Sequence, residues 1–347
     1  MHSLPARRSE KLRTPERTSS ELPRRIEVAA RRIAGLVERT TFERSASLSA
    51  ETGADVWLKH EERQTTGSFK LRGALNALLA LPARQRARGV VVASTGNHGL
   101  AVARALEWTG TSGTIVVPES IQPGKRAALE AAGATLRFVG SDCVEAERAA
   151  RALARRRGVP YVSPYNHPDV VAGQGTLGRE LDDQAGAQRL DAVFVAVGGG
   201  GLAAGVAAWM KHARPATRII GCQPEHSAVM THSITKGRIV ADASRPTLSD
   251  ATAGGIERGA ITFPLCRALV DDWIVVPERA ILRAMRLLIE HEHCLVEGAA
   301  ALPLAALLWQ RDAYAGRRVA LVLCGRNVDA ATLRRVLAGN ARRKSSD

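Results

Sequence analysis

An α/β fold of two interwoven, open, twisted and mostly parallel sheets covered by helices is predicted for this chain by three observations. Strand-like and helix-like stretches alternate through most of its 347 residues, the pattern that builds parallel sheets with helices on their faces. Short apolar runs end repeatedly in glycine or small polar residues, at VVVAST, FVAVGGGG and LVLCGRN. Ligands gather at the carboxyl ends of strands in such sheets, so these three loops should face one cleft. Hydrophobic residues make up 45% of the chain and aromatic ones only 4%, so the core must be built from Ala, Val, Leu and Ile. That suits an enzyme scaffold better than a platform for stacking nucleic-acid bases.

Residues 1–25 are rich in Arg, Ser, Glu and Pro without apolar periodicity and are expected to form a disordered basic arm. A helical pattern begins at Ile26. VWLKHE then reads as a strand before a helix through LRGALNALLAL, GVVVAST as a strand before HGLAVARALEW, TIVVP before GKRAALEAAG, and LRFVG before VEAERAARALARRRG. The alternation resumes with LDAVFVAVGGGG and LAAGVAAWMKHA, passes through RIIGCQP, and closes with WIVVP, two helical stretches and RVALVLCGRN. This length fits two lobes. With no long Gly/Ser linker and no solenoid repeat, the lobes are expected to interweave: residues 26–90 with 166–340 as a large domain, 91–165 as a small one, and 341–347 as a tail.

The formal charge of +15 raises the question of nucleic acid, but its distribution argues otherwise. Seven Lys/Arg against three Asp/Glu lie between Met1 and Arg25, and five against one from Arg334 onward, so the two ends carry eight of the fifteen charges. The remainder is Arg spread along helical segments, a solvated face. No nucleic-acid partner is expected. Five cysteines, Cys143, Cys222, Cys266, Cys294 and Cys324, are scattered without zinc-finger spacing, which indicates neither a disulfide framework nor a structural zinc and points to a reducing cytoplasm. The N-terminus lacks an apolar signal core, and the longest apolar run, AAALPLAALLW, is too short to span a bilayer. No membrane association is expected.

Four segments could carry chemistry. In Gln64-Thr65-Thr66-Gly67-Ser68-Phe69-Lys70-Leu71-Arg72-Gly73, a lysine opens a helix beside a phenyl ring. Desolvation and the helix dipole both disfavour its charge there, so its amine can become a nucleophile, although a lone lysine is ordinarily solvated. Ser94-Thr95-Gly96-Asn97-His98-Gly99 lies between a strand and a helix, where it reads as an N-cap or as a carboxylate site with more polar groups than a cap needs. Gly198, Gly199, Gly200 and Gly201 follow an apolar strand and precede a helix. Bare amides can wrap a phosphate there, or the run can serve as a flexible turn. The same run loosely fits the dinucleotide fingerprint, with Ala203 in its last position and Glu225 farther on. Cys324 follows the strand VALVL; its thiol is either core packing or a partner for a heteroaromatic nitrogen.

The order of these segments closely resembles the fold type II pyridoxal-phosphate enzymes of tryptophan synthase β-like fold, specifically the serine/threonine dehydratase family with its serine racemase and hydroxyectoine-utilization dehydratase-like branch. The resemblance spans about Ile26 to Gly339. Its most specific piece is Ser68-Phe69-Lys70-Leu71-Arg72-Gly73, since the family carries Ser-Phe-Lys-x-Arg-Gly around its cofactor lysine.

The resemblance implies that Lys70 holds pyridoxal 5'-phosphate and moves the substrate Cα proton, with Phe69 near the ring. Asn97 would bond the phenolic oxygen, Gly198 to Gly201 the phosphate, Glu297 would sit near the ring, and Cys324 would face the pyridine nitrogen. Ser94, Asn97 and His98 would bind the substrate carboxylate. The implied reaction removes water and ammonia from a β-hydroxy amino acid to leave a 2-oxo acid; threonine, serine, phenylserine, hydroxyaspartate or an ectoine-derived compound are the candidate substrates. The family also implies a homodimer of the short, catabolic type.

The chain departs from the family at several points. Cys324 stands where many members have Ser. Thr95 replaces the second Ser of the racemases, and its hydroxyl could serve a proton on the opposite face of Cα, which leaves racemisation open; β-replacement is the other alternative within the fold. Gln223 and Val229 stand where some members place cation-binding carboxylates, so no tightly bound metal is expected. The stretch Leu248 to Gly255 differs from the usual Ala-Asp-Gly, leaving substrate size open. A nicotinamide-dependent oxidoreductase built on the glycine run is the alternative from another class, and it leaves Lys70 unexplained.

Overall fold

The structure, a computed structural model, describes residues 15–338. The chain enters through α1 (Pro15–Ile33), β1 (Phe42–Arg44), α2 (Ala46–Thr52) and β2 (Asp55–His60), followed by α3 (Lys70–Ala80) and the short α4 (Ala83–Arg86). A run of βα units comes next: β3 (Val90–Ala93) with α5 (Asn97–Thr109), β4 (Gly113–Val117) with α6 (Pro123–Ala131), and β5 (Leu136–Phe138) with α7 (Cys143–Arg157). The chain then forms α8 (Pro168–Ala185), β6 (Ala192–Ala196), α9 (Gly201–Ala213), β7 (Arg218–Pro224), α10 (Val229–Thr235) and α11 (Thr262–Leu269). It ends with β8 (Asp272–Val276), α12 (Glu278–Glu292), α13 (Gly298–Trp309), β9 (Arg318–Leu323) and α14 (Ala330–Ala338).

One correction falls at the N-terminus. The disordered arm expected over residues 1–25 does not hold from Pro15 onward, because α1 starts there. Leu22, Ile26, Ala29 and Ile33 are 2% exposed or less and lie at helical spacing, so the apolar stripe that pins α1 to the core begins one turn before Ile26. Residues 1–14 and the expected tail at 341–347 lie outside the described residues.

Two sheets result. The larger has strand order β1-β2-β9-β6-β7-β8, and the smaller β3-β4-β5. All neighbours run parallel except the edge pair β1 and β2. Every residue of β6 is buried, as expected of a strand covered on both faces by helices. Local signals fix the helix ends. Asp142 caps α7 by accepting from Glu145 N, Gly158 closes it in the left-handed conformation, and Arg155 to Arg157 occupy its negative last turn.

This topology sets up the site. The loops after β2, β9 and β6, adjacent strands in the larger sheet, and the loop after β3 in the smaller one all leave carboxyl ends. After α7 the chain returns along β3, with Val91 N donating to Pro160 O at 3.0 Å and Val162 N to Val91 O at 3.0 Å. It thereby carries residues 164 and 165 between the sheets before α8 begins.

Candidate active site

The loops converge on one cavity lined by Phe69, Lys70, Asn97, Tyr165, Gly198 to Gly201, Ala251, Thr252, Glu297 and Cys324. Its wall is knitted by the loops themselves. Ser68 bridges Gly325 in antiparallel register, Phe69 N donates to Cys324 O at 3.1 Å, and Arg326 N to Gly67 O at 2.9 Å. The segment that ends in Lys70 is therefore clamped to the loop that follows β9.

Lys70 is the first residue of α3, partly exposed at the cavity wall. Its Nζ donates to Pro164 O at 3.1 Å and lies 5.0 Å from the Phe69 ring centroid. Desolvation outweighs the attraction of Cys324 and Glu297 and lowers its pKa to about 8. A lysine in this state offers a substantial neutral fraction near neutral pH, the form that attacks a carbonyl.

Two residues on, Arg72 is wholly buried and anchors the helix. Its Nε and a terminal nitrogen each lie 2.8 Å from Glu61, and its terminal nitrogens reach Glu180 at 2.7 and 2.9 Å. Lys59 joins through Glu180 Oε2 at 2.9 Å. Burial alone would raise the Glu61 carboxyl, but the Arg72 guanidinium and its hydrogen bonds bring it below the usual range. The network ties β2, α3 and α8 together and fixes the start of α3.

Opposite the lysine, Gly200 adopts φ +87°, where an L side chain would be strained. Its carbonyl accepts from Ala204 N at 2.9 Å as α9 begins. A Cβ on Gly199 would fall 2.4 Å from the Tyr165 ring, so the bare backbone is what lets the chain pass beneath that ring. Thr262 Oγ1 donates to Gly199 O at 2.6 Å. The loop presents N–H groups at the positive end of α9, an arrangement that takes an anion.

Across the cavity Asn97 Nδ2 lies 2.9 Å from both Glu297 oxygens, and its Oδ1 accepts from Asn327 Nδ2 at 2.6 Å. Both hydrogens of the Asn97 amide are thus directed at the Glu297 carboxyl. Burial dominates at Glu297 and raises its carboxyl to about 7 despite the hydrogen bond from Asn97. Burial, reinforced by Glu297, likewise holds the Cys324 thiol well above its ordinary range, so it stays protonated.

Lys70, Phe69, Asn97, Gly198 to Gly201, Glu297 and Cys324 are thus brought to one cavity, while Ser94, Thr95 and His98 do not line it. The His98 ring turns away, with Nε2 3.1 Å from Val162 O, and burial together with the Lys70 charge lowers its pKa to about 3. What His98 can offer an anion is its backbone N–H in the first turn of α5. Gln223 gives both ends of its amide to the protein, donating to Val197 O at 3.0 Å and accepting from Thr231 N at 2.8 Å. Val229 is 2% exposed.

Tyr165 and Thr252 were not anticipated as lining residues. The stretch that departs at Leu248 to Gly255 does hold Ala251 and Thr252, but nothing local marked Tyr165. Among the described residues no helix is long and apolar enough to cross a membrane.

A family described as "Pyridoxal-phosphate dependent enzyme" matches residues 33–325. The chain is 38% identical over 312 residues to the L-threonine ammonia-lyase of Thermotoga maritima, covering 90% of this chain and 77% of that one. It is 38% identical over 301 residues to the L-threo-3-hydroxyaspartate ammonia-lyase of a Pseudomonas species, covering 87% and 93%. The solved structure of maize serine racemase superposes with a TM-score of 0.84 at 32% identity, covering 91% of this chain and 96% of that one.

Proposed function

The chain belongs to the pyridoxal-phosphate dependent enzymes and is a carbon–nitrogen lyase, and we propose that it deaminates small β-hydroxy amino acids, threonine and serine foremost, with Lys70 holding the cofactor. The observation that carries this reading is the desolvated Lys70 amine in the same cavity as the glycine cradle before α9. The residues fit the cofactor: a Cβ at Gly199 would collide with Tyr165, and an anion-binding helix start faces an amine that is partly neutral at physiological pH. When bound, pyridoxal phosphate supplies the electron sink that makes the substrate Cα proton removable.

The chain's own residues do the rest. Backbone N–H groups of Gly198 to Gly201 would hold the phosphate, Phe69 would flank the ring, and the Asn97 amide would meet the phenolic oxygen by giving up one of its two contacts with Glu297. The Cys324 thiol, kept neutral by burial, would face the ring nitrogen and leave it without a full positive charge, which would favour elimination over transamination. Ser94 with the first N–H groups of α5 binds the substrate carboxylate. Lys70, held at the wall by Pro164 O, takes the Cα proton. The β-hydroxyl would leave as water with the proton Lys70 has taken, and the unsaturated amine so released tautomerises to an imine that water hydrolyses to a 2-oxo acid and ammonia.

A second reading is favoured by Thr95, half-buried just before α5, whose hydroxyl would serve a proton on the other face of Cα. We also infer a homodimer in the cytoplasm. All five cysteines are free, which supports a reducing compartment, and light scattering would test the assembly.

The deciding experiment incubates cofactor-loaded protein with serine, threonine, phenylserine and hydroxyaspartate and measures 2-oxo acid together with the configuration of the remaining amino acid. Oxo acid from threonine or serine is expected. Inverted amino acid without oxo acid would establish the racemase, and no turnover of any of the four by loaded protein would overturn the substrate class.

A further inference from the structure

A second buried polar cluster lies apart from the residues that line the cavity. His60, at the end of β2, is 1% exposed, Glu62 3% and Cys294 6%, and one donor atom from each lies within 4.8 Å of the other two. His60 is bracketed by carboxylates, with Nδ1 2.7 Å from Glu62 Oε1 and Nε2 3.0 Å from Glu43 Oε1. Glu62 Oε2 is buried without a hydrogen-bond partner. A buried carboxylate oxygen left unpaired is costly, so the cluster holds more acceptor capacity than its neighbours use. Cys294 is turned inward by its neighbour. His293 closes α12 at φ 51°, the one left-handed non-glycine residue among those described, and Cys294 N then reaches back to Leu288 O at 3.0 Å.

We propose that His60, Glu62 and Cys294 form a divalent-metal site of the zinc class. One imidazole nitrogen, one carboxylate and one thiolate make a donor set of intermediate softness, which suits Zn(II) or Co(II) and not Mg(II) or Ca(II). With the metal on Nδ1, beside Glu62, the other imidazole nitrogen still faces the Glu43 carboxylate at 3.0 Å, the kind of partner that metal-bound histidines almost always keep. Donors now no more than 4.8 Å apart would close by about an ångström, and His60 Nδ1 and Glu62 Oε1, in contact at 2.7 Å, would part slightly, to reach the span of a tetrahedral site.

Arg63 borders the cluster, with Nε 3.5 Å from Glu62 Oε1 and a terminal nitrogen 3.9 Å from Cys294 Sγ. Its side chain is 45% exposed and can swing into solvent, so the metal would replace it at little structural cost. The metal would join two loops that meet at the cofactor cavity. One leads from β2 to Lys70, and the other leads from α12 to Glu297. The site's role would therefore be to hold those loops together, without touching substrate.

The test adds Co(II) to cofactor-loaded full-length protein carrying Cys143→Ser, which removes the exposed thiol, and records the thiolate-to-cobalt charge-transfer band and the metal retained after gel filtration. The expected result is one retained equivalent with the band present. Cys294→Ser should remove the band and weaken retention on the order of 100-fold. Arg63→Gln, a change at the surface, should tighten binding. Thermal midpoint should rise with Zn(II) in the parent protein and stay fixed in Cys294→Ser. Absence of the band from both the parent and the Arg63→Gln protein overturns the proposal without relying on a variant that could misfold, and so does a band that persists in folded Cys294→Ser.

Discussion

Lys70 and Arg72 stand two residues apart on the first turn of α3, yet the fold treats their charges in opposite ways. Arg72 is met by four carboxylate oxygens at hydrogen-bonding distance from Glu61 and Glu180, and its pKa is driven up even though burial opposes this. Lys70 has one carbonyl, an aromatic ring and two acidic groups too distant to bond it. Desolvation wins there, and the amine falls to about 8. A buried cation that is fully paired organises structure, whereas one left short of partners is kept ready for chemistry. The fold places the second kind on the scaffold made rigid by the first.

Four changes would break or sharpen that contrast. Lys70→Ala should lower kcat by about 10⁴-fold, the upper end of what a single acid–base group supplies, while leaving the urea midpoint of the apoprotein unchanged or higher. Steady-state assays beside denaturation curves check both halves. Arg72→Ala should do the reverse, costing about 3–5 kcal/mol of stability by stranding the fully buried Glu61 carboxylate, while Glu180 keeps Lys59. Arg72→Lys should restore only part of that loss, because an ammonium cannot bond both carboxylates in the same forked way. A urea midpoint for Arg72→Ala equal to that of wild type would refute the structural role.

The third change is in pH. Because the folded pKa of Lys70 is lowered, its amine is protonated below about 8 and neutral above. The rate at which apoprotein captures pyridoxal phosphate should therefore climb about tenfold per pH unit on the acid side and level off above about 8. Stopped-flow absorbance across that range checks it, and a plateau reached only near the ordinary lysine value would show that the amine is not desolvated. The smallest effect belongs to Cys324→Ser. With residue 324 beside the ring nitrogen as proposed, a hydroxyl would keep a neutral partner there, so kcat should change by no more than about a few-fold. Cys324→Asp, which adds charge, should divert turnover toward transamination, detectable as the amine form of the cofactor.

Much of this site was legible before any fold was known, because its parts are local. A strand followed by a loop with Lys70, Asn97, four glycines or Cys324 carries its own signal, and the carboxyl-end rule places all four loops together. What escaped were residues that topology alone brings in. Tyr165 reaches the glycines because the chain returns along β3 before α8, and no pattern around positions 161–167 announces that path. His98 reads as a ligand in its motif but turns toward Val162 once the two strands pair. The start of α1 was missed because Leu22 lies within a charged stretch that looks irregular by composition. Arg72 was visible in the motif, but its partners Glu61 and Glu180 are set by the packing of α3 on α8. The cluster of His60, Glu62 and Cys294 joins positions more than two hundred residues apart, which no spacing rule can connect.

The most direct test of the central claim is to load the protein with pyridoxal phosphate, reduce it with borohydride, and locate the phosphopyridoxyl group by peptide mass spectrometry. The account predicts a single modified peptide, with the group on Lys70. A group on any other lysine, or none on protein that has taken up the cofactor, would contradict it.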